Sequence, residues 1–148
     1  MPGLLLDTHA LYWLVTQELP LTDDALIEIG NNQASGSLYV SPITAWELAL
    51  AARKPARANP MQLNKAASAW FSEAVRAVSA KVIAINAKIA VEAAEVPVAT
   101  RHKDPGDCYL IATARVRKLS LMTRDSTIQG LASPHFSPGC DGDASGWV

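Results

Sequence analysis

Cysteine is scarce in this chain: its 148 residues contain only Cys108 and Cys140, which form no C-x-x-C pair. That excludes a disulfide framework and suits a reducing compartment. Long hydrophobic runs are missing too, since no apolar stretch approaches the roughly 20 residues of a membrane span. The opening Met-Pro-Gly-Leu-Leu-Leu-Asp has neither a basic leader region nor a signal cleavage site. The expectation is a cytoplasmic protein with no membrane association. There is no surplus of positive charge, because thirteen Lys and Arg stand against fourteen Asp and Glu for a formal charge of −1. A polycation that coats nucleic acid is thereby excluded, and any nucleic-acid site must be a local patch. Neither glycine-rich phosphate-loop pattern is present, so no nucleotide cofactor is expected.

What is present is the material of a globular core, with 49% hydrophobic and 18% charged residues. The length fits one domain over residues 1–148, whose last part, about 133–148, is a Gly-, Ser-, Pro- and Asp-rich tail. Leu4 to Leu6 is a short apolar run stopped by Asp7, followed by Ala10, Leu11, Trp13 and Leu14 at helical spacing. A second helix is expected after Thr22, capped by it and fading at Gly30-Asn31-Asn32. Ser37 to Ser41 reads as a strand, and Pro42 opens a helix with Ile43, Trp46 and Leu50 as its repeating apolar positions. Residues 55–62 look like a linker. Then come a helix around Ala66 to Val78, a strand from Lys81 to Ile85, and a helix from Ala87 to Glu95 ended by Val96-Pro97. A helix from Pro105 to Lys118 and a strand from Ser120 to Thr123 complete the series. Strands alternating with helices predict an α/β fold in three layers, α/β/α, around a mostly parallel sheet of four to five strands.

In such a sheet, ligands collect outside the carboxyl ends of the strands. Asp7 ends the first strand and Asp125 follows the last, while Glu47 lies about one and a half turns into the helix after the second strand. Asp107 lies in the first turn of the helix that leads to the fourth strand. Four carboxylates therefore converge on one edge, where their mutual repulsion calls for a cation. Oxygen donors suit Mg²⁺ or Mn²⁺. Taken singly, Asp7 or Asp125 is also an ordinary helix cap, capping explains either Asp104 or Asp107 but not obviously both, and Glu47 is also an ordinary solvent-facing acid. The three histidines, His9, His102 and His135, are far apart and show no ligand spacing. Cys108 beside Asp107 reads as a small buried residue rather than a nucleophile. Tyr12, Trp13, Trp46 and Trp70 read as packing residues rather than as platforms for bases.

Four ordered blocks carry a resemblance: Leu4-Leu-Leu-Asp7-Thr-His-Ala-Leu-Tyr-Trp-Leu, Ser41-Pro-Ile-Thr-Ala-Trp-Glu47-Leu, His102-Lys-Asp104-Pro-Gly-Asp107-Cys-Tyr-Leu-Ile-Ala-Thr-Ala114 and Leu121-Met-Thr123-Arg-Asp125. Over residues 4–131 the chain resembles PIN-domain ribonucleases, specifically the VapC-type toxins of toxin-antitoxin modules. The resemblance implies a PIN-like fold and a metal-dependent endoribonuclease that uses Mg²⁺ or Mn²⁺. It also implies Asp7, Glu47, Asp107 and Asp125 as catalytic and metal-binding acids, with Asp104 and Thr123 in support. A small antitoxin that covers the site is the implied partner. The chain departs from the pattern at Gly106, where an aromatic is frequent, at Cys108, where a basic residue often follows the third acid, and at Ile128. Candidate RNA-backbone contacts are Arg53, Lys54, Arg57, Arg101 and Lys103. Apolar faces around Trp13, Ala49 to Ala52 and Trp70 point to a homodimer.

Two other classes fit parts of the pattern. A phosphatase with an aspartyl nucleophile would suit Leu-Leu-Leu-Asp7-Thr-His, but it needs a second Asp where His9 stands. A non-catalytic domain whose acidic pocket binds a cation or partner would not place Glu47 and Asp107 within helices.

Overall fold

Three leucines at the centre of the sheet show how the layers form. They make up β1 (Leu4–Leu6), and because successive strand side chains point to opposite faces, Leu4 and Leu6 enter one core while Leu5 enters the other. The computed structural model describes residues 3–18, 21–55, 61–98 and 104–123, together with the helical backbone of 99–100. After β1 the chain runs through α1 (Thr8–Thr16), α2 (Asp23–Ser35), β2 (Leu38–Val40), α3 (Pro42–Ala52), α4 (Ala67–Ala77) and β3 (Lys81–Val82). It ends in α5 (Ala87–Thr100), α6 (Pro105–Arg117) and β4 (Ser120–Met122).

All pairings are parallel, in the order β3-β2-β1-β4. One core lies under α1 to α4, with Leu11, Tyr12, Ile29, Leu48 and Trp70 buried against Leu4, Leu6, Leu38 and Val40. The other lies under α5 and α6, where Ile89, Val96, Leu110 and Ile111 pack with Leu5 and Leu121. This is the three-layer α/β/α arrangement, with four strands among the described residues. A parallel sheet brings every strand's carboxyl end to one edge. Asp7, Ser41 and Thr123 each follow a strand there, and the Asp7 amide donates to the Met122 carbonyl at 3.1 Å, which ties the ends of β1 and β4 together.

Local chemistry sets the helix starts. Asp7, Thr22, Ser41 and Asp104 are N-caps, each accepting a backbone N–H of the first turn, and Pro42 and Pro105 stand where an N–H would have no helical partner. The end of α2 differs from expectation. The helix passes Gly30 and runs to Ser35, because Asn32 turns inward, donates to the Glu28 carbonyl at 2.8 Å and accepts from the Ser37 hydroxyl. Gly36, at φ +69°, supplies the left-handed cap.

Three further expectations are corrected. The helix α5 does not stop at Glu95 but continues through Pro97, since burial of Ile89, Ala93 and Val96 against α6 outweighs the one backbone bond that proline forgoes. In α3 the core side is Thr44, Leu48 and Ala51, while Trp46 and Leu50 are 45% and 40% exposed. The strand β3 is also shorter than the expected run to Ile85, although the Ile83 amide still donates to the Val40 carbonyl. The tail 133–148 lies outside the described residues.

The α3 register gives a direct test. Leu48→Ala should cost about 3 kcal/mol in urea unfolding because its site is sealed on all sides. By contrast, Leu50→Ser should change stability by about 0.5 kcal/mol or less. Equal losses from the two would restore the Ile43-Trp46-Leu50 face to the core.

Candidate active site

The site starts from the caps. Asp7, at φ −78° and ψ 176°, leaves β1 extended, and its Oδ1 accepts the Ala10 amide at 2.7 Å. That bond fixes the carboxylate at the sheet edge. On the opposite layer, Asp104 caps α6 by accepting the Asp107 amide at 3.0 Å, which sets Asp107 in the helix's first turn. Here a carboxylate also meets the positive end of the helix dipole.

Glu47 approaches from α3. Its Oε1 accepts the Thr8 hydroxyl at 2.6 Å, and Thr8 Oγ1 lies 3.2 Å from Thr44 Oγ1. Gly106 of α6 is buried against the same carboxylate, so closely that a Cβ at that position would lie 2.8 Å from Glu47 Cδ. Residues from the start of α1, the middle of α3 and the start of α6 thus meet around one carboxyl group.

The acids also act on one another electrostatically. The Glu47 carboxyl is pushed up to about 7, first by burial and then by Asp107, Asp104 and Asp7, against the opposing hydrogen bond from Thr8. Burial, and then Asp107 and Asp104, raise the Cys108 thiol, which makes it a poor nucleophile. Among the described residues no three His, Cys, Asp or Glu side chains stand close enough to ligate one ion as they are. The geometry therefore establishes a shared negative field. Its donors are all hard oxygens, and the repulsion that raises Glu47 is what a divalent cation would reverse, so the residues fit Mg²⁺ or Mn²⁺ in kind.

The structure brings Asp7, Glu47, Asp104 and Asp107 together and buries Thr123 after β4. Asp125 lies outside the described residues, as do Arg57, Arg101 and Lys103. Arg53 and Lys54 are exposed at the far end of α3, about 9 Å along the helix axis from Glu47. Sequence reasoning missed Thr8, Thr44 and Gly106, which reveal themselves only through contacts between distant segments. Trp46, read as core or subunit packing, is not in the core: it lines an open recess of about 390 Å³ with Pro42, Ile43, Ile85, Pro105 and Tyr109, next to Glu47 in the chain.

An acid-lined strand edge in a parallel three-layer α/β domain defines a class of protein. The chain belongs to the PIN domain family, whose model matches residues 4–133. Solved structures share the fold. DNA-bound VapBC from Salmonella typhimurium matches with a TM-score of 0.59 at 16% identity, covering 86% of this chain and 90% of that one. A toxin-antitoxin complex from Klebsiella pneumoniae gives 0.57 at 19% identity, with 92% and 98% covered. FitAcB from Neisseria gonorrhoeae gives 0.57 at 22%, with 91% and 97% covered. No curated protein matched the chain. No described helix is long and apolar enough to cross a membrane.

Proposed function

We propose that this chain is a metal-dependent endoribonuclease that hydrolyses RNA phosphodiesters and acts as the toxin of a toxin-antitoxin pair. Nuclease chemistry is what membership of the PIN family supports. The observation that carries the reading is Glu47, a carboxyl raised to about 7 first by burial and then by Asp107, Asp104 and Asp7 from other parts of the chain. Asp7, Glu47, Asp107 and Asp125 are the proposed ligands of Mg²⁺ or Mn²⁺, with Asp104 and Thr123 in support. A divalent ion bound there would supply an activated water and neutralise charge at the phosphate. The chain's own part is orientation. Asp7 is held by its cap bond, Asp107 by the Asp104-capped turn and Glu47 by Thr8. A side-chain nucleophile is not needed: the Cys108 thiol is buried and raised, and the Ser41 hydroxyl accepts the Ile43 amide in capping α3. Arg53, Lys54, Arg57, Arg101 and Lys103 are the proposed contacts to the RNA backbone.

Incubation with end-labelled RNA in Mg²⁺ or Mn²⁺ tests this, with p-nitrophenyl phosphate as the monoester control. RNA fragments that vanish in chelator, with the monoester intact, support the reading. Monoester turnover without RNA cleavage would replace it with a phosphatase.

The matched VapBC, Klebsiella and FitAcB structures support a small antitoxin as partner. A homodimer is also proposed, on a revised surface: Trp70 and Ala51 are buried in the core, so the available apolar face is Trp46, Ala49, Leu50 and Ala52 of α3, with half-buried Trp13 of α1. Light scattering at micromolar concentration should give twice the chain mass, and a monomer would remove the dimer from the proposal.

A further inference from the structure

We propose that Thr8 and Gly106 are positioning residues for Glu47: Thr8 holds one carboxylate oxygen, and Gly106 leaves the notch in which the head of the side chain rests. The inference rests on the metal-dependent reading of the same site and goes beyond it by naming what fixes the third acid.

Thr8 begins α1 and is buried, as is Thr44, one turn before Glu47 on α3. A hydroxyl has a single proton. Thr44 Oγ1 at 3.2 Å and Glu47 Oε1 at 2.6 Å compete for it, and the shorter contact is the one to the carboxylate, so the bond ties the start of α1 to one oxygen of Glu47 on α3. A bond to a charged acceptor is the strong kind, and here its donor is buried.

Gly106 works from the other side. A Cβ there would sit 2.8 Å from Glu47 Cδ, 2.9 Å from Oε2 and 3.2 Å from Oε1. Contacts that short force something to move, and what moves is the end of the Glu47 side chain rather than any backbone. Gly106, which departs from a pattern in which an aromatic is frequent, here leaves to the carboxylate the space that a side chain would enter. Oε1 is bonded to Thr8 and Oε2 lies beside Gly106, so these two residues hold both oxygens of a side chain that would be a ligand of the ion. Groups that orient a metal ligand from behind are typically worth 10–100-fold in metal affinity.

Titration of the RNA-free protein with Mn²⁺ by calorimetry tests the inference, with thermal melting to confirm that each variant folds. Thr8→Val keeps the shape and removes the hydroxyl, and it should weaken Mn²⁺ binding about tenfold or more. Thr8→Ser should restore it. Gly106→Ala should weaken binding similarly while the protein still folds, so the test survives a Thr8→Val variant that does not. In a Glu47→Gln background, Thr8→Val should make no further difference. Wild-type affinity in Thr8→Val and Gly106→Ala would overturn the positioning role alone. Equal losses with and without Glu47 would show that Thr8 acts on the fold in general. A wild-type protein that binds no Mn²⁺ would overturn the metal-dependent reading, and the inference with it.

Discussion

Asp107→Asn and Asp7→Asn should each lower Mn²⁺-dependent RNA cleavage by about a thousandfold or more while the circular dichroism stays native. A thousandfold corresponds to about 4 kcal/mol of barrier, a reasonable share for one ligand in a site whose chemistry depends on its cation. Asn suits the test because it separates charge from shape. At position 7 the amide oxygen can still accept the Ala10 amide, and Asn is as good an N-cap as Asp. At position 107 the helix keeps its Asp104 cap, and the lost charge near the dipole is worth about 0.3–1 kcal/mol. Cleavage measured against both variants and against wild type in excess chelator decides the matter. Undiminished activity in the two variants would remove these acids from the catalytic list.

The second large effect concerns stability without metal. Glu47→Gln should raise the melting temperature at pH 8 in chelator by about 5 °C and leave it nearly unchanged at pH 4. Glu47 titrates near its ordinary 4.5 in the unfolded chain and near 7 in the fold. Below 4.5 the group is neutral in both states and imposes no penalty. Between the two values the unfolded chain releases its proton first, so stability falls as pH rises, and beyond 7 the full cost of a crowded buried charge is present. Solvent still reaches part of the side chain, so that cost is about 2 kcal/mol. For a domain of this size about 2 kcal/mol corresponds to roughly 4–8 °C. Glutamine is neutral at every pH and can still accept from Thr8. Adding Mn²⁺ should reverse the ranking, because the wild type gains by mass action and the variant has lost a ligand. Parallel melting of the two proteins across pH would mean that Glu47 is not in the shared field.

Much of this could be read from the residues because it depends on neighbours in the chain. Leu4-Leu-Leu-Asp7 marks a buried strand and its end, and Thr22, Ser41 and Asp104 mark helix starts by a bond that closes within three residues. The gathering of Asp7, Glu47 and Asp107 followed from a parallel sheet having one carboxyl edge, while Asp104 entered only through the resemblance and Asp125, the fourth acid expected there, lies outside the described residues. What could not be read depends on choices between equals. Helix α3 carries two stripes of helical spacing, Ile43-Trp46-Leu50 and Thr44-Leu48-Ala51, and only the position of the sheet and α4 selects the second. The more hydrophobic stripe misled because Thr44 is buried for its hydroxyl. In the same way Pro97 signals a helix end locally, and α6 packing overrides it. Thr8 and Gly106 give no local signal, since each acts on a residue about 40 or 60 positions away.

The two cap bonds also give the protein a pair of built-in spectroscopic reporters. The amide protons of Ala10 and Asp107 point at the carboxylates of Asp7 and Asp104. A cation that draws electron density from those oxygens weakens the acceptor, so both amide resonances should move during a titration with diamagnetic Mg²⁺. Amides in the second core, such as those of Ile89 and Ile111, should stay still. Occupancy of the site can thus be followed without RNA, turnover or any engineered probe.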